Sequence, residues 1–202
     1  MKILALESSA VACSAAVCED ERLIAETFQH SGLTHSRTLL PLCTDLLKNC
    51  GLTLEEIDVI AVAAGPGSFT GLRIGVAAAK GLAWPEDKPC AGVSTPEAMA
   101  WSLAHVAGDL CPVMDARRSQ VYNARFQAEG GKLTRLCPDR AISIEELAGE
   151  LAERKKTQIL VGDGAELCYN ELTKRGLPVE LAPPHLRLQH AWGLFSAEQF
   201  PP

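Results

Sequence analysis

Apolar positions in this chain follow two different periods. Ile3–Leu6 is a short apolar run. Cys13–Cys18 and Leu23–Thr27 are two more, separated by the polar Glu19-Asp20-Glu21, and together they predict a strand meander. The period then lengthens. Leu39, Leu42, Cys43, Leu46, Leu47 and Cys50 recur at i, i+3, i+4, i+7, i+8 and i+11, which predicts a helix over 36–50. Leu40 widens its apolar stripe to roughly 160°, more than one core-facing side needs. Pro41 starts or kinks that helix, and Gly51 ends it as a C′ glycine. Thr53 and Glu56 have capping-box spacing for a short turn.

The most informative stretch is Val59 to Ala83. The apolar run Val59–Ala64 enters Gly65-Pro66-Gly67, Ser68 and Thr70 follow as candidate N-caps, and a helix continues to Trp84. Its only charges, Arg73 and Lys80, share one narrow edge. Gly71, Gly75, Ala78, Ala79 and Leu82 cover one side, and Leu72, Ile74, Val76 and Ala77 fill most of the other. A helix apolar nearly all round is buried on both sides, and in a short chain one cover is expected to be another protein. Gly71, Gly75 and Ala78 read as the positions where a facing helix approaches. Cys43, Leu47 and Leu82 complete the expected interface, with Leu40 and Leu47 as its larger contacts.

Downstream, a strand near Cys90–Val93 leads to a helix from Ser94 or Thr95 to about Ala107, with Pro96 in its first turn. Gly108-Asp109 marks a seam, giving expected domains 1–108 and 109–202. The second half repeats the order: strand Leu110–Asp115, turn Ala116–Ser119, strand Gln120–Gln127, a Gly130-Gly131 turn, and helix Ile144–Lys155 capped by Ser143. Strand Ile159–Val161, turn Gly162-Asp163-Gly164, a helix to about Arg175, strand Val179–Leu181 and a last helix from about Ala191 complete it. Strands followed by helix, strand, helix, strand, played twice, imply α/β layers with a partly parallel sheet in each half.

Charge and cysteines narrow the function. The 202 residues carry a net charge of −6, which argues against strong independent nucleic-acid binding. Eight cysteines contain no C-x-x-C pair, and none clusters with histidine at zinc spacing, so they read as small buried hydrophobes in a reducing compartment. No apolar segment reaches membrane-spanning length, and the expected location is the cytoplasm. His30 and His35 are five apart, the wrong spacing for one helix face. No metal-helix motif and no G-x-S-x-G elbow is present, so no catalytic or metal residue is assigned.

Three strand ends could form a weak nucleotide cleft. Glu7-Ser8-Ser9 offers a carboxylate and hydroxyls for hydrated magnesium and phosphate. Gly65, Gly67 and Ser68 could present N–H groups to phosphate, although the loop lacks the Gly-Lys-Ser/Thr of a Walker A motif; the alternative is tight packing of strand on helix. Asp115 either caps its turn or faces a cleft. Gly162 and Gly164 either pass beside a flat ring or make a plain strand-to-helix turn.

The blocks KILALESS, HSRTLLPL, AVAAGPGSFTGLRIGVAAAKGLA, GVSTPEAMA and MDARRSQVY occur in that order and resemble the TsaB family, formerly YeaZ, over residues 1–127. The resemblance implies a two-lobed actin/Hsp70/sugar-kinase fold. It implies a non-catalytic role beside the paralogue TsaD, which moves a threonylcarbamoyl group onto the adenosine next to the anticodon, with the ATPase TsaE joining them. It also implies docking on TsaD through the two first-lobe helices, a homodimer through the same surface when TsaD is absent, and contact with tRNA only through the complex. TsaD carries a helical metal-binding His pair that this chain lacks.

Two departures stand out. Most relatives have Asp at the position of Glu7, which weakens a phosphate site there, so no cofactor is expected beyond weak ATP or ADP binding. The family's Pro-x-Tyr-x-Arg-like tail is missing before Phe200-Pro201-Pro202, so the end reads as divergent or shortened. The competing readings are an ATP-hydrolysing enzyme of the same fold, needing an acidic magnesium site, and an M22-type glycoprotease, needing a metal site.

Overall fold

The computed structural model describes residues 1–20, 22–154 and 156–195. Its first sheet contains β1 (Lys2–Glu7), β2 (Cys13–Glu19), β3 (Arg22–Gln29), β4 (Val59–Gly65) and β5 (Cys90–Ser94), in the order β3-β2-β1-β4-β5. The meander pairs antiparallel, whereas β1–β4 and β4–β5 pair parallel. The parallel steps are bridged by helices α1 (His35–Asn49) and α2 (Phe69–Ala83). A short helix α3 (Thr95–Trp101) follows β5. The second sheet holds β6 (Gly108–Arg117), β7 (Gln120–Glu129), β8 (Lys132–Ser143), β9 (Gln158–Val161) and β10 (Val179–Leu181), in the order β10-β9-β6-β7-β8. Helices α4 (Ile144–Arg154) and α5 (Ala165–Lys174) bridge its parallel strands. Read from the meander edge, both sheets have one topology.

The strand period places the core. In β1, Leu4 and Leu6 join Leu39, Cys43, Leu46 and Val62 beneath the helices, while Ile3 and Ala5 join Ala16, Ala61 and Val93 on the opposite face. A strand buried on both faces reads as a continuous apolar run, which is what Ile3–Leu6 shows. The second core packs Leu147, Ala148 and Leu151 of α4 and Cys168 and Leu172 of α5 onto Cys111, Val113 and Leu160.

Several expectations change. The units are Met1–Ala98 with the segment from Gln189, and Met99–Leu188, rather than 1–108 and 109–202. The returning segment is tied to the first sheet: the Ala191 N–H donates to Ser14 Oγ at 2.8 Å, the Trp192 N–H donates to Glu26 Oε1 at 3.2 Å, and Ala191 and Leu194 are fully buried. It forms a 3-10 turn over Ala191–Phe195 rather than a full helix, and the Phe200-Pro201-Pro202 tail lies outside the described residues. Strand β8 has no counterpart in the sequence reading, because an edge strand half open to water carries Arg135, Asp139 and Arg140 and a Pro138 beside a register shift. Finally, α3 is shorter than the predicted helix to Ala107. The predicted 144–155 helix ends at Arg154, Lys155 being outside the described residues, as is Glu21 of the first turn.

Candidate docking surface

Helix α2 is held by its smallest residues. Gly71, Gly75, Ala79 and Ala83 recur every four positions and are its buried set. They face their own sheet. A Cβ at Gly71 would stand 2.0 Å from the Ser8 carbonyl oxygen, and one at Gly75 would stand 2.6 Å from Ser8 Oγ. Ser8 Oγ donates to the Gly71 carbonyl at 3.0 Å, stitching strand end to helix. The expectation that Gly71 and Gly75 admit a facing helix is therefore corrected: the close approach is between α2 and β1. Leu47, 8% exposed, and Cys43, 1% exposed, likewise belong to the core under α1.

The consequence is that large apolar residues turn outward. Phe69 is 75% exposed, Trp84 85% and Leu40 46%, while Leu72, Ile74, Val76, Ala78 and Leu82 are half-buried and Ala77 is exposed. Three shallow grooves follow this surface. One of about 360 Å³ runs between the helices over Leu39, Leu40, Ile74, Ala77, Ala78 and Leu82. A second of about 410 Å³ lies past the C-terminal ends, floored by Cys43, Leu47 and Leu54. The third, about 450 Å³, follows the side of α2 marked by Phe69, Leu72, Val76 and Lys80. Of the residues expected at the interface, Leu40, Ala78 and Leu82 reach the surface. Phe69 and Trp84, exposed, and Leu72 and Val76, half-buried, were not among those expected. The signal was present: when glycines fill one stripe of a helix, the stripe marks the close approach, and the large residues must lie elsewhere.

The first unit's polar strand ends are closed. Glu7, Ser8 and Ser9 are at most 2% exposed, and the Ser9 N–H donates to Glu7 Oε1. The Ser68 N–H donates to the Ser9 carbonyl at 2.7 Å, and Ser68 Oγ caps α2 by accepting from the Gly71 N–H at 3.3 Å. Gly65 is left-handed at φ +108° and Gly67 half-buried, both within the turn that seats α2. The Ser68 and Gly71 N–H groups are thus used internally, and the turn packs strand against helix.

The second unit repeats the device. Gly162 sits at φ +112°, where a Cβ would meet the Val113 carbonyl oxygen at 2.1 Å, and the Gly164 N–H donates to that same carbonyl at 3.1 Å. The Gly162-Asp163-Gly164 segment is a strand-to-helix turn. Asp115 caps its own turn, Oδ1 accepting from the Arg117 N–H at 2.7 Å. That turn runs through three left-handed residues, Arg117, Arg118 and Ser119.

Burial pushes the thiols of Cys43, Cys111 and Cys168 up to about 12, and that of Cys13 upward, so these cysteines stay protonated and apolar. Cys90 is the exposed one. His35 Nε2 lies 2.6 Å from the Ala10 carbonyl, and His190 stacks on Phe28 and meets Glu26, both structural contacts. Among the described residues no three His, Cys, Asp or Glu side chains gather as a metal site, and no helix is long and apolar enough to cross a membrane.

The family model of TsaD, tRNA N6-adenosine threonylcarbamoyltransferase, matches residues 29–175. The tRNA threonylcarbamoyladenosine biosynthesis protein TsaB of Bacillus subtilis is 35% identical over 83% of this chain and 73% of its own length. TsaB of Escherichia coli is 37% identical over 64% of this chain, which spans 56% of that relative's length. The solved structure of YeaZ from Pseudomonas aeruginosa superposes with a TM-score of 0.79 at 28% identity, covering 96% of this chain and 88% of that one. The two five-stranded mixed sheets with flanking helices are the actin-like ATPase fold, shared with the ethanolamine utilization protein EutJ from Carboxydothermus hydrogenoformans at a TM-score of 0.59 and 13% identity, over 96% of this chain and 89% of EutJ.

Proposed function

The chain belongs to the TsaB family, related to the TsaD transferases, and from that premise we propose that it is a non-catalytic subunit in threonylcarbamoyladenosine formation on tRNA. In this reading it acts with TsaD and TsaE in the cytoplasm and meets tRNA only through the complex. The observation that carries it is the exposed apolar surface of α1 and α2, where Leu40 stands 46% and Phe69 75% exposed, with Trp84 at 85% just past the end of α2. Large aromatic and aliphatic side chains exposed along one pair of helices support a protein interface there. TsaD is the proposed occupant, and a second copy takes the same surface when TsaD is absent, a two-fold pair being the simplest closed solution.

Nucleotide binding by the chain alone is proposed to be no tighter than about 10 μM, roughly −7 kcal/mol. The internally used N–H groups of the Ser68 turn and the buried Glu7-Ser8-Ser9 segment support this. Calorimetry with ATP giving a submicromolar constant would favour an ATP-binding enzyme instead.

The direct test mixes the chain with TsaD from the same organism on size exclusion with light scattering. A complex heavier than either protein is expected, and it should vanish for Leu40→Asp combined with Phe69→Asp. No complex with the wild-type chain would overturn the reading.

A further inference from the structure

The groove of about 450 Å³ along α2 has a distinctive lining. It is lined by α2 alone: Leu72, Val76 and Ala77 supply its apolar part, Phe69 stands at the N-terminal end, and Arg73 and Lys80 lie between Val76 and Ala77 around the helix. Arg73 and Lys80 are seven residues apart, two helical turns, so their stems are separated by about 10.5 Å along the axis. Both are exposed, and neither forms an ion pair among the described residues. The Arg73 guanidinium lies 5.3 Å from the centroid of the Phe69 ring, which steadies it over the groove. No acidic side chain lines the groove.

We propose that this groove takes an amphipathic helix of an acidic partner, with two carboxylates spaced two turns apart, one on Arg73 and one on Lys80. The inference rests on the functional reading above and specifies the chemistry of the partner's contact. The backbone of α2 is satisfied within the helix, so an incoming strand finds no ladder to join, and side-chain packing of helix on helix is the mode left. A partner helix with acids at i and i+7 matches the spacing of the two cations, and its apolar residues between them meet Leu72 and Val76.

A second copy is the poorer occupant of this groove. A two-fold pair that packed this flank of α2 on its own copy would bring Arg73 and Lys80 onto the same two cations of the other chain, with no groove carboxylate to pair them. Like charges at an interface cost affinity and select against the wrong partner. The two cations therefore discriminate an acidic partner from self-association, while the apolar part serves both.

The test compares the wild-type chain with Arg73→Gln/Lys80→Gln and Arg73→Glu/Lys80→Glu, after thermal melts confirm folding. TsaD binding is measured by calorimetry at 50 and 500 mM sodium chloride, and self-association by sedimentation velocity. TsaD binding should weaken about tenfold in the Gln pair and about a hundredfold in the Glu pair, each charge pair lost or reversed acting through partly desolvated contacts. Salt should weaken wild-type TsaD binding more than that of the Gln pair, whereas self-association should strengthen in the Gln pair. Equal TsaD binding by all three proteins at both salt concentrations overturns the proposal and leaves the functional reading intact. No TsaD binding by the wild type overturns both. Binding of a fluorescent oligouridine by the wild type, lost in the Gln pair, would assign the groove to RNA and overturn the acidic-helix occupant.

Discussion

The two units share one sheet topology but clothe it differently. Helices α1 and α2 carry five charged side chains in thirty residues, while α4 and α5 carry eight in twenty-one. In the second unit the bridging helices are plainly amphipathic. Leu147, Ala148 and Leu151 face the sheet, Glu145, Glu146 and Glu153 face water, and Glu146 closes a capping box with Ser143. In the first unit, glycine and alanine face the sheet from α2 and the large apolar residues face out. The same scaffold thus yields one unit whose helices end in a polar surface and one that leaves large apolar residues exposed. The contrast lies in the helix faces, while both units seat a helix on a glycine turn.

The largest expected effect tests that shared seating. Gly71→Val drives a side chain into the Ser8 carbonyl and should cost at least about 3 kcal/mol, lowering the melting temperature by roughly 10 °C or more. Gly162→Ala should do the same in the second unit, where Val113 blocks the space and the backbone is left-handed. Gly81→Ala is the counter-case: its Cβ meets nothing within 4 Å, and the melting temperature should hold or rise, by up to about 1 kcal/mol of helix propensity. Equal losses at Gly71 and Gly81 would mean that α2 does not face the sheet by its glycines.

A second pair separates core from surface on α1. Leu47→Glu puts an unpaired charge into the core and should cost about 3 kcal/mol or more. Leu40→Glu should shift stability by no more than about 0.5 kcal/mol yet reduce self-association and TsaD binding. Denaturant melts and sedimentation read the two effects apart, and a Leu40→Glu protein that assembles like wild type would remove Leu40 from the interface.

The smallest effect belongs to the second unit. Glu150 accepts from the Arg140 Nη1–H at 2.8 Å and from the Nη2–H at 2.6 Å, and this pairing holds its carboxyl below the ordinary value. A depressed folded value gives stability that is fully present above about pH 4.5 and fades as pH falls through that lower value. Glu150 is 35% exposed, so screening limits the contribution to about 1 kcal/mol at most. Melts from pH 6 to pH 3 should converge for wild type and Glu150→Gln at the acid end. A constant gap across that range would contradict the pairing.

Much of this contrast was legible in the sequence. The 3.6-residue stripe on 36–50, the Ser68 cap and the repeated order of strands and helices all appear in the structure. Two features were not legible. Edge strand β8 hid because its half-wet, Arg-rich alternation with Pro138 lacks the apolar run that marks an interior strand. The outward-facing residues of α2 were not singled out because a helical wheel gives angle but not direction. Small residues can admit a partner or the protein's own sheet, and only the position of Ser8 decides it. The glycine turns hid their role for the same reason. A turn that cradles phosphate and one that seats a helix use identical residues, and they differ only in what the freed N–H groups reach.

The central claim is that the α1–α2 face, and not the second unit's helices, meets TsaD. Hydroxyl-radical footprinting of the chain with and without TsaD tests it most directly, because Phe69 and Trp84 are bright, exposed reporters on that face and Leu167 and Tyr169 report on α5. The account predicts strong protection of Phe69, with Leu40 and Trp84 following it, and unchanged labelling of Leu167 and Tyr169. Protection of Leu167 and Tyr169 with Phe69 and Trp84 still labelled as in the isolated chain would contradict it.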